Sequence, residues 1–123
     1  MIKLVYCVRK RADIDAADFH SYWLNDHGPL VRGFAEAIQA KKYIQSHTVE
    51  PEMNALFKDS RGLADAYDGI TEVWWDSVDD LRAGMASDAG TAAHQALKDD
   101  EAKFIDFSQS RVFMTEEHQI FDF

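Results

Sequence analysis

The chain has 123 residues, 46% of them apolar, which is enough for one core and too little for two, so a single domain over residues 1–123 is expected. Its 22 acidic residues against 13 basic ones give a net charge of −9, which weighs against nucleic acid or an anionic membrane surface as a partner. One cysteine excludes an intrachain disulfide framework and a cysteine-only zinc site, and with no apolar stretch near the roughly 18 residues of a membrane span and no secretory leader after Met1, a cytoplasmic protein is expected.

From Ile2 to Arg9 the sequence is apolar and partly β-branched, the pattern of a buried first strand. Asp15 followed by Asp18 is a helix-start signal of capping-box type, so a helix is expected from about Ala16. Phe19, Tyr22, Trp23, His27 and Leu30 share one face of that helix. Gly28-Pro29 interrupts it, because a proline at 29 has no amide hydrogen for the carbonyl of Asn25, and a kink or short break is expected just after His27. Lys42 to Glu50 reads as a second strand bounded by Pro51. The stretch 51–68 is long for a connection between strands. It can hold a short helix with proline in its first turn, and its apolar residues make it a candidate lid loop.

Tyr67-Asp68-Gly69 reads as a turn, and Ile70 to Asp76 as a third strand. Ser77 and Asp80 repeat the capping pattern, opening a helical region that Gly84 and Gly90 divide into pieces, with Ala93, Leu97, Phe104 and Ile105 turned inward. The acidic run Asp99-Asp100-Glu101 reads as a solvated helix start, and a fourth strand is expected from about Ser110 to His118. The order strand, helix, strand, strand, helix, strand is that of an α+β, ferredoxin-like βαββαβ sandwich with a four-stranded antiparallel sheet. Two helices cover one face of such a sheet, yet Val73-Trp74-Trp75 and Val112-Phe113-Met114 are apolar at consecutive positions, so a second copy of the sheet is expected on the other face and a homodimer follows.

The segment Phe19-His-Ser-Tyr22-Trp23-Leu-Asn-Asp-His27-Gly-Pro29 resembles the first-helix signature of the EthD family, part of the dimeric α+β barrel superfamily. Tyr43-Ile-Gln45-Ser-His47, Tyr67-Asp-Gly69-Ile-Thr-Glu72-Val-Trp74 and Phe113-Met-Thr115-Glu116-Glu117 are similar to that family in type and order. The resemblance implies a ferredoxin-like subunit that pairs sheet to sheet and keeps a small cavity between helices and sheet. It also implies small-molecule chemistry, typically without a cofactor, in isomerases, dehydratases, cyclases or decarboxylases. A histidine at the place of His27 is implicated as a base in such relatives.

His27 has a physical case of its own, since an imidazole exchanges protons near neutral pH; the alternative is a helix-ending histidine bonded to local backbone. His47 and Glu72 lie on strands expected to pair, where a carboxylate facing the ring would raise its basicity; a structural ion pair is the alternative. Tyr22, Trp23, Tyr43, Tyr67 and Trp74 are candidate substrate-binding residues that core packing explains as well. His20 and His118 read as surface residues, and His94 as a cap or solvent-facing residue. No histidine pair has the spacing that pre-organises a metal on one helix face, and neither metal nor cofactor is expected. The expected function is a cofactor-independent enzyme for a small cyclic or aromatic substrate. A non-catalytic carrier of a hydrophobic molecule serving an oxygenase pathway is the first alternative, and a haem- or metal-binding barrel protein the second.

Overall fold

The apolar opening of the chain forms β1 (Ile2–Val8) in the computed structural model, which describes all 123 residues. The Asp15 side chain accepts the amide hydrogen of Asp18 and starts α1 (Ala16–Tyr22), as the capping signal predicts. A single wide π-helical turn, Trp23–His27, joins α1 to α2 (Gly28–Phe34). Pro29 stands in the first turn of α2, where its missing donor is harmless, and the amide of Gly28 reaches back five residues to the carbonyl of Trp23. The expected break after His27 is therefore a widened turn before Gly28, and the helix does not stop.

β2 (Lys42–His47) leads into α3 (Pro51–Arg61), then β3 (Gly69–Trp75), α4 (Val78–Ala86), α5 (Asp88–Glu101) and β4 (Arg111–Thr115). Ser77 caps α4, and Ser87 caps α5 through the amide of Gly90. The sheet is antiparallel in the order β2-β3-β1-β4, the ferredoxin-like arrangement that the element order predicts. No helix is long and apolar enough to cross a membrane.

Because strand side chains alternate, the register assigns each residue to a face. Leu4, Tyr6, Tyr43, His47, Thr71, Val73 and Trp75 face the helices; Val5, Ile44, Ile70, Glu72, Trp74 and Phe113 face the other way. Val31, Ile38, Val73, Trp75, Ala93 and Leu97 form one core cluster under the helices; Val8, Phe19, Trp23, Phe104 and Ile105 form a second.

Three expectations are corrected here. His47 and Glu72 do not share a face: Glu72 stands opposite Ile44, His47 stands opposite Gly69, and an odd offset of three positions divides them. The stretch 51–68 is not mainly loop, since eleven of its residues form α3, and none of the stretch borders the cavity between helices and sheet. The run Asp99-Asp100-Glu101 ends α5 instead of starting a helix, and Asp100 is buried. β4 is also shorter than expected, because past Thr115 the chain leaves the ladder and the Glu117 carboxylate accepts the Trp74 indole hydrogen at 2.7 Å.

Candidate active site

The wide turn at Trp23–His27 presents His27 to the last turn of α5. Its Nδ1 lies 2.7 Å from Oδ2 of Asp100, and the His27 residue is 5% exposed. Asp100 accepts a second hydrogen bond from the Tyr22 hydroxyl, and the Lys103 ammonium lies 3.5 Å away. A carboxylate that accepts from Nδ1 holds the proton on that nitrogen, so Nε2 keeps its lone pair. Burial pushes the imidazole below its ordinary value and outweighs the upward pull of Asp100, so His27 is neutral at pH 7. Burial is also the largest influence on Asp100 and works upward. The hydrogen bonds from Tyr22 and His27 together override it and hold the carboxyl below the usual range. The same contact pushes the Tyr22 phenol up to about 12, so it stays a donor.

His27 lines a cavity of about 380 Å³ that lies between the two core clusters. Its walls are mainly apolar, from Leu4, Val31, Ile38, Val73, Leu97 and Ile105, with Trp23 and Trp75 as aromatic surfaces. The polar groups are few: His27, Tyr6, Tyr43, Thr71, His94, Lys98 and Glu101. Burial raises the Glu101 carboxyl to about 7, an effect that hydrogen bonding to the Tyr6 phenol only partly offsets. His94 has a buried Nε2 with no hydrogen-bond partner, and burial lowers its pKa. An apolar cavity with a few convergent polar groups and shifted titrations has the character of a small-molecule site. No cluster of three or more His, Cys, Asp or Glu side chains is arranged to hold a metal ion.

The EthD domain matches residues 11–108, most of the chain and all of the cavity lining except Leu4, Tyr6 and Val112. The chain belongs to the EthD family. Among solved structures, an EthD family protein of Bacillus halodurans superposes with a TM-score of 0.63 at 20% identity, over 96% of this chain and 99% of that one. A dimeric ferredoxin-like protein of Thermobifida fusca matches with a TM-score of 0.59 at 15% identity, over 93% and 88%. SnoaB of Streptomyces nogalater, described as a cofactor-independent oxygenase, matches at 0.51 and 14% identity, over 96% and 93%. At these identities the likeness establishes the fold. No curated protein matches the sequence significantly.

Within this EthD chain the candidate residues separate. His27, Trp23 and Tyr43 line the cavity, and Tyr22 stands behind it as the second donor to Asp100. His47 is at the end of β2, outside the cavity wall. It stacks on Trp23 with ring centroids 4.3 Å apart, and its Nδ1 lies 2.9 Å from Nδ1 of His20. His20 is therefore half-buried against a second histidine, where a surface position is expected. Glu72 binds the Lys3 ammonium at 2.7 Å on the far face of the sheet, and Trp74 lies on that face under Lys3 and Lys42. Tyr67 packs beneath the Arg9 guanidinium at 4.8 Å, in the approach to β3. Glu72, Trp74 and Tyr67 are thus remote from the cavity.

Sequence reasoning missed Asp100, Glu101, Tyr6 and His94. A signal for two of them was present: Ala93 and Leu97 turn inward, and the same helical period continues to Asp100 and Glu101, three and four residues beyond Leu97. Reading the acidic run as one solvated patch hid that only Asp99 is exposed.

Proposed function

We propose that this EthD protein is a cofactor-independent enzyme that moves a proton on a small cyclic or aromatic substrate, with Nε2 of His27 as the base. The observation that carries this is the pairing of a neutral, cavity-lining imidazole with a buried carboxylate that fixes its tautomer. Asp100 also stabilises the imidazolium once His27 has taken a proton, while Tyr22 holds the carboxylate in place. Trp23 and Trp75 offer flat apolar surfaces to a ring, and the apolar walls exclude the water that would compete for the base. Isomerisation and elimination begin with such a step beside a carbonyl group, and a decarboxylation ends with one, as the carbon that has lost carbon dioxide takes up a proton. A cofactor-independent activity is in keeping with the description of SnoaB.

The test is deuterium exchange at the carbon next to the carbonyl in a panel of cyclic ketones and lactones, followed by proton NMR in heavy water. His27→Gln keeps a donor for Asp100 and removes the base, so exchange should fall to the buffer rate while the fold persists. Exchange by the variant at the wild-type rate would overturn the role of His27.

We further infer that the protein pairs through the face of the sheet that carries Ile44, Ile70 and Phe113. These side chains are 38%, 37% and 50% exposed, and the ferredoxin-like relative of Thermobifida fusca is described as dimeric. Covering them with a second copy removes from water the apolar surface that the helices leave open.

A further inference from the structure

Glu101 is the one acid on the cavity wall that the proposed base does not use. It is the last residue of α5, where the helix carbonyls converge and a carboxylate is electrostatically disfavoured. Asp100, beside it, meets the same field but is held by Tyr22, His27 and Lys103. Glu101 instead lines the cavity, as does the Tyr6 phenol of the sheet. Consecutive residues on a helix diverge by about 100°, so α5 sends one carboxylate behind the base and the next into the cavity.

We propose that Glu101 is the second proton-transfer residue, a neutral carboxylic acid that donates to the substrate carbonyl oxygen while His27 removes a proton from the adjacent carbon. This rests on the proton-transfer function proposed above. The carbon–hydrogen bond breaks, its proton passes to Nε2, and its electron pair becomes the carbon–carbon double bond of an enol. The carbonyl π pair takes the proton of Glu101. The enol is neutral, His27 is an imidazolium against Asp100, and Glu101 is a carboxylate accepting from Tyr6. Returning the protons in the opposite sense restores both groups. Return to the same carbon gives exchange with solvent, and return to a conjugated carbon gives isomerisation. The substrate class is thus an uncharged cyclic or aromatic ketone or lactone, which has a carbonyl for Glu101 and suits walls that are largely apolar.

The groups facing Glu101 are Tyr6 from β1, Tyr43 from β2, His27 from the wide turn, and His94, Lys98 and Asp100 from α5. Burial is the largest influence on Glu101, Asp100 adds to it, and Tyr6 opposes both, leaving the carboxyl protonated to about pH 7. His27 must be neutral and Glu101 protonated, so the rate should describe a narrow bell whose alkaline limb belongs to Glu101.

The experiment uses 1-tetralone, an aromatic cyclic ketone, as probe, with exchange in heavy water read across pH 5–9 for wild type, Glu101→Gln and His27→Gln. Glu101→Gln keeps the shape and loses the acid. Its kcat/KM should fall by about 10²-fold, and the alkaline limb near pH 7 should vanish while KM is unchanged. A Glu101→Gln enzyme that keeps both rate and limb, with exchange still lost in His27→Gln, would overturn Glu101 and leave the base intact. No exchange by the wild type above buffer would overturn the proton-transfer function and this proposal with it.

Discussion

His27, Tyr22, Asp100 and Glu101 form a set in which each titration depends on its neighbour. Asp100 lies below its ordinary range, so its contribution to stability is present above pH 4 and is lost as pH falls through the lower folded value. Tyr22→Phe removes one of its donors and should cost about 1–3 kcal/mol at pH 7 in urea unfolding, with the difference fading once Asp100 is protonated. Glu101 has the opposite sign. Its folded value of about 7 exceeds the ordinary 4.5, so the unfolded chain releases that proton first. The stabilisation from neutral Glu101 is full below pH 4.5 and is lost as pH rises through 7. Glu101→Gln should therefore be more stable than wild type at pH 8, by on the order of 1–3 kcal/mol, and no more stable at pH 4.5. Melting curves at the two pH values check this. His27 was legible because a histidine on an aromatic helix face beside Gly-Pro stands out. Asp100 was not, because sequence alone does not distinguish a carboxylate that meets a buried donor from one that meets water. Glu72 shows the converse, a carboxylate on a recognisable strand segment whose partner is a lysine on the far face.

At the scale of elements, the wide turn and the glycines around it place the site. Gly69 opens β3 where Trp23 crosses the sheet, and a Cβ there would lie 2.4 Å from the indole and 2.7 Å from the carbonyl oxygen of Ser46. Gly69→Ala should destabilise by about 1–3 kcal/mol and shift Trp23, visible as a change in tryptophan fluorescence. Gly84 and Gly90, which weaken a helix on propensity alone, mark close approaches: a Cβ on Gly84 would strike the backbone of Ile38 in the turn after α2, and one on Gly90 the carbonyl of Gly84, where α5 meets α4. The strands and the capped helix starts were readable because their signals are local. Register was not, since a shift of one residue preserves every local pattern and reverses every face. That is why His47 and Glu72 looked like partners. α3 was only half visible: Pro51 marked its start, but Met53, Leu56 and Phe57 are about half-exposed or more, so no buried stripe outlined it.

For the whole molecule, the element order carried the topology, and the family match and solved relatives agree with it. The uncovered sheet face gives the pairing its own test. Phe113→Glu puts a charge in the middle of the proposed interface and should yield monomers in sedimentation, while a wild type that is monomeric at high concentration would remove the need for a partner.

The central claim is that Nε2 of His27 is the free, basic nitrogen in the cavity. Long-range proton–nitrogen NMR of the imidazole rings from pH 5 to 8 tests it most directly, with Asp100→Asn to assign the effect to the pair. The expected result is the Nδ1–H tautomer, protonated at Nε2 only below the ordinary histidine range, with the tautomer preference weakened in Asp100→Asn. An Nε2–H tautomer in the wild type, or a ring already charged at pH 7, would contradict it.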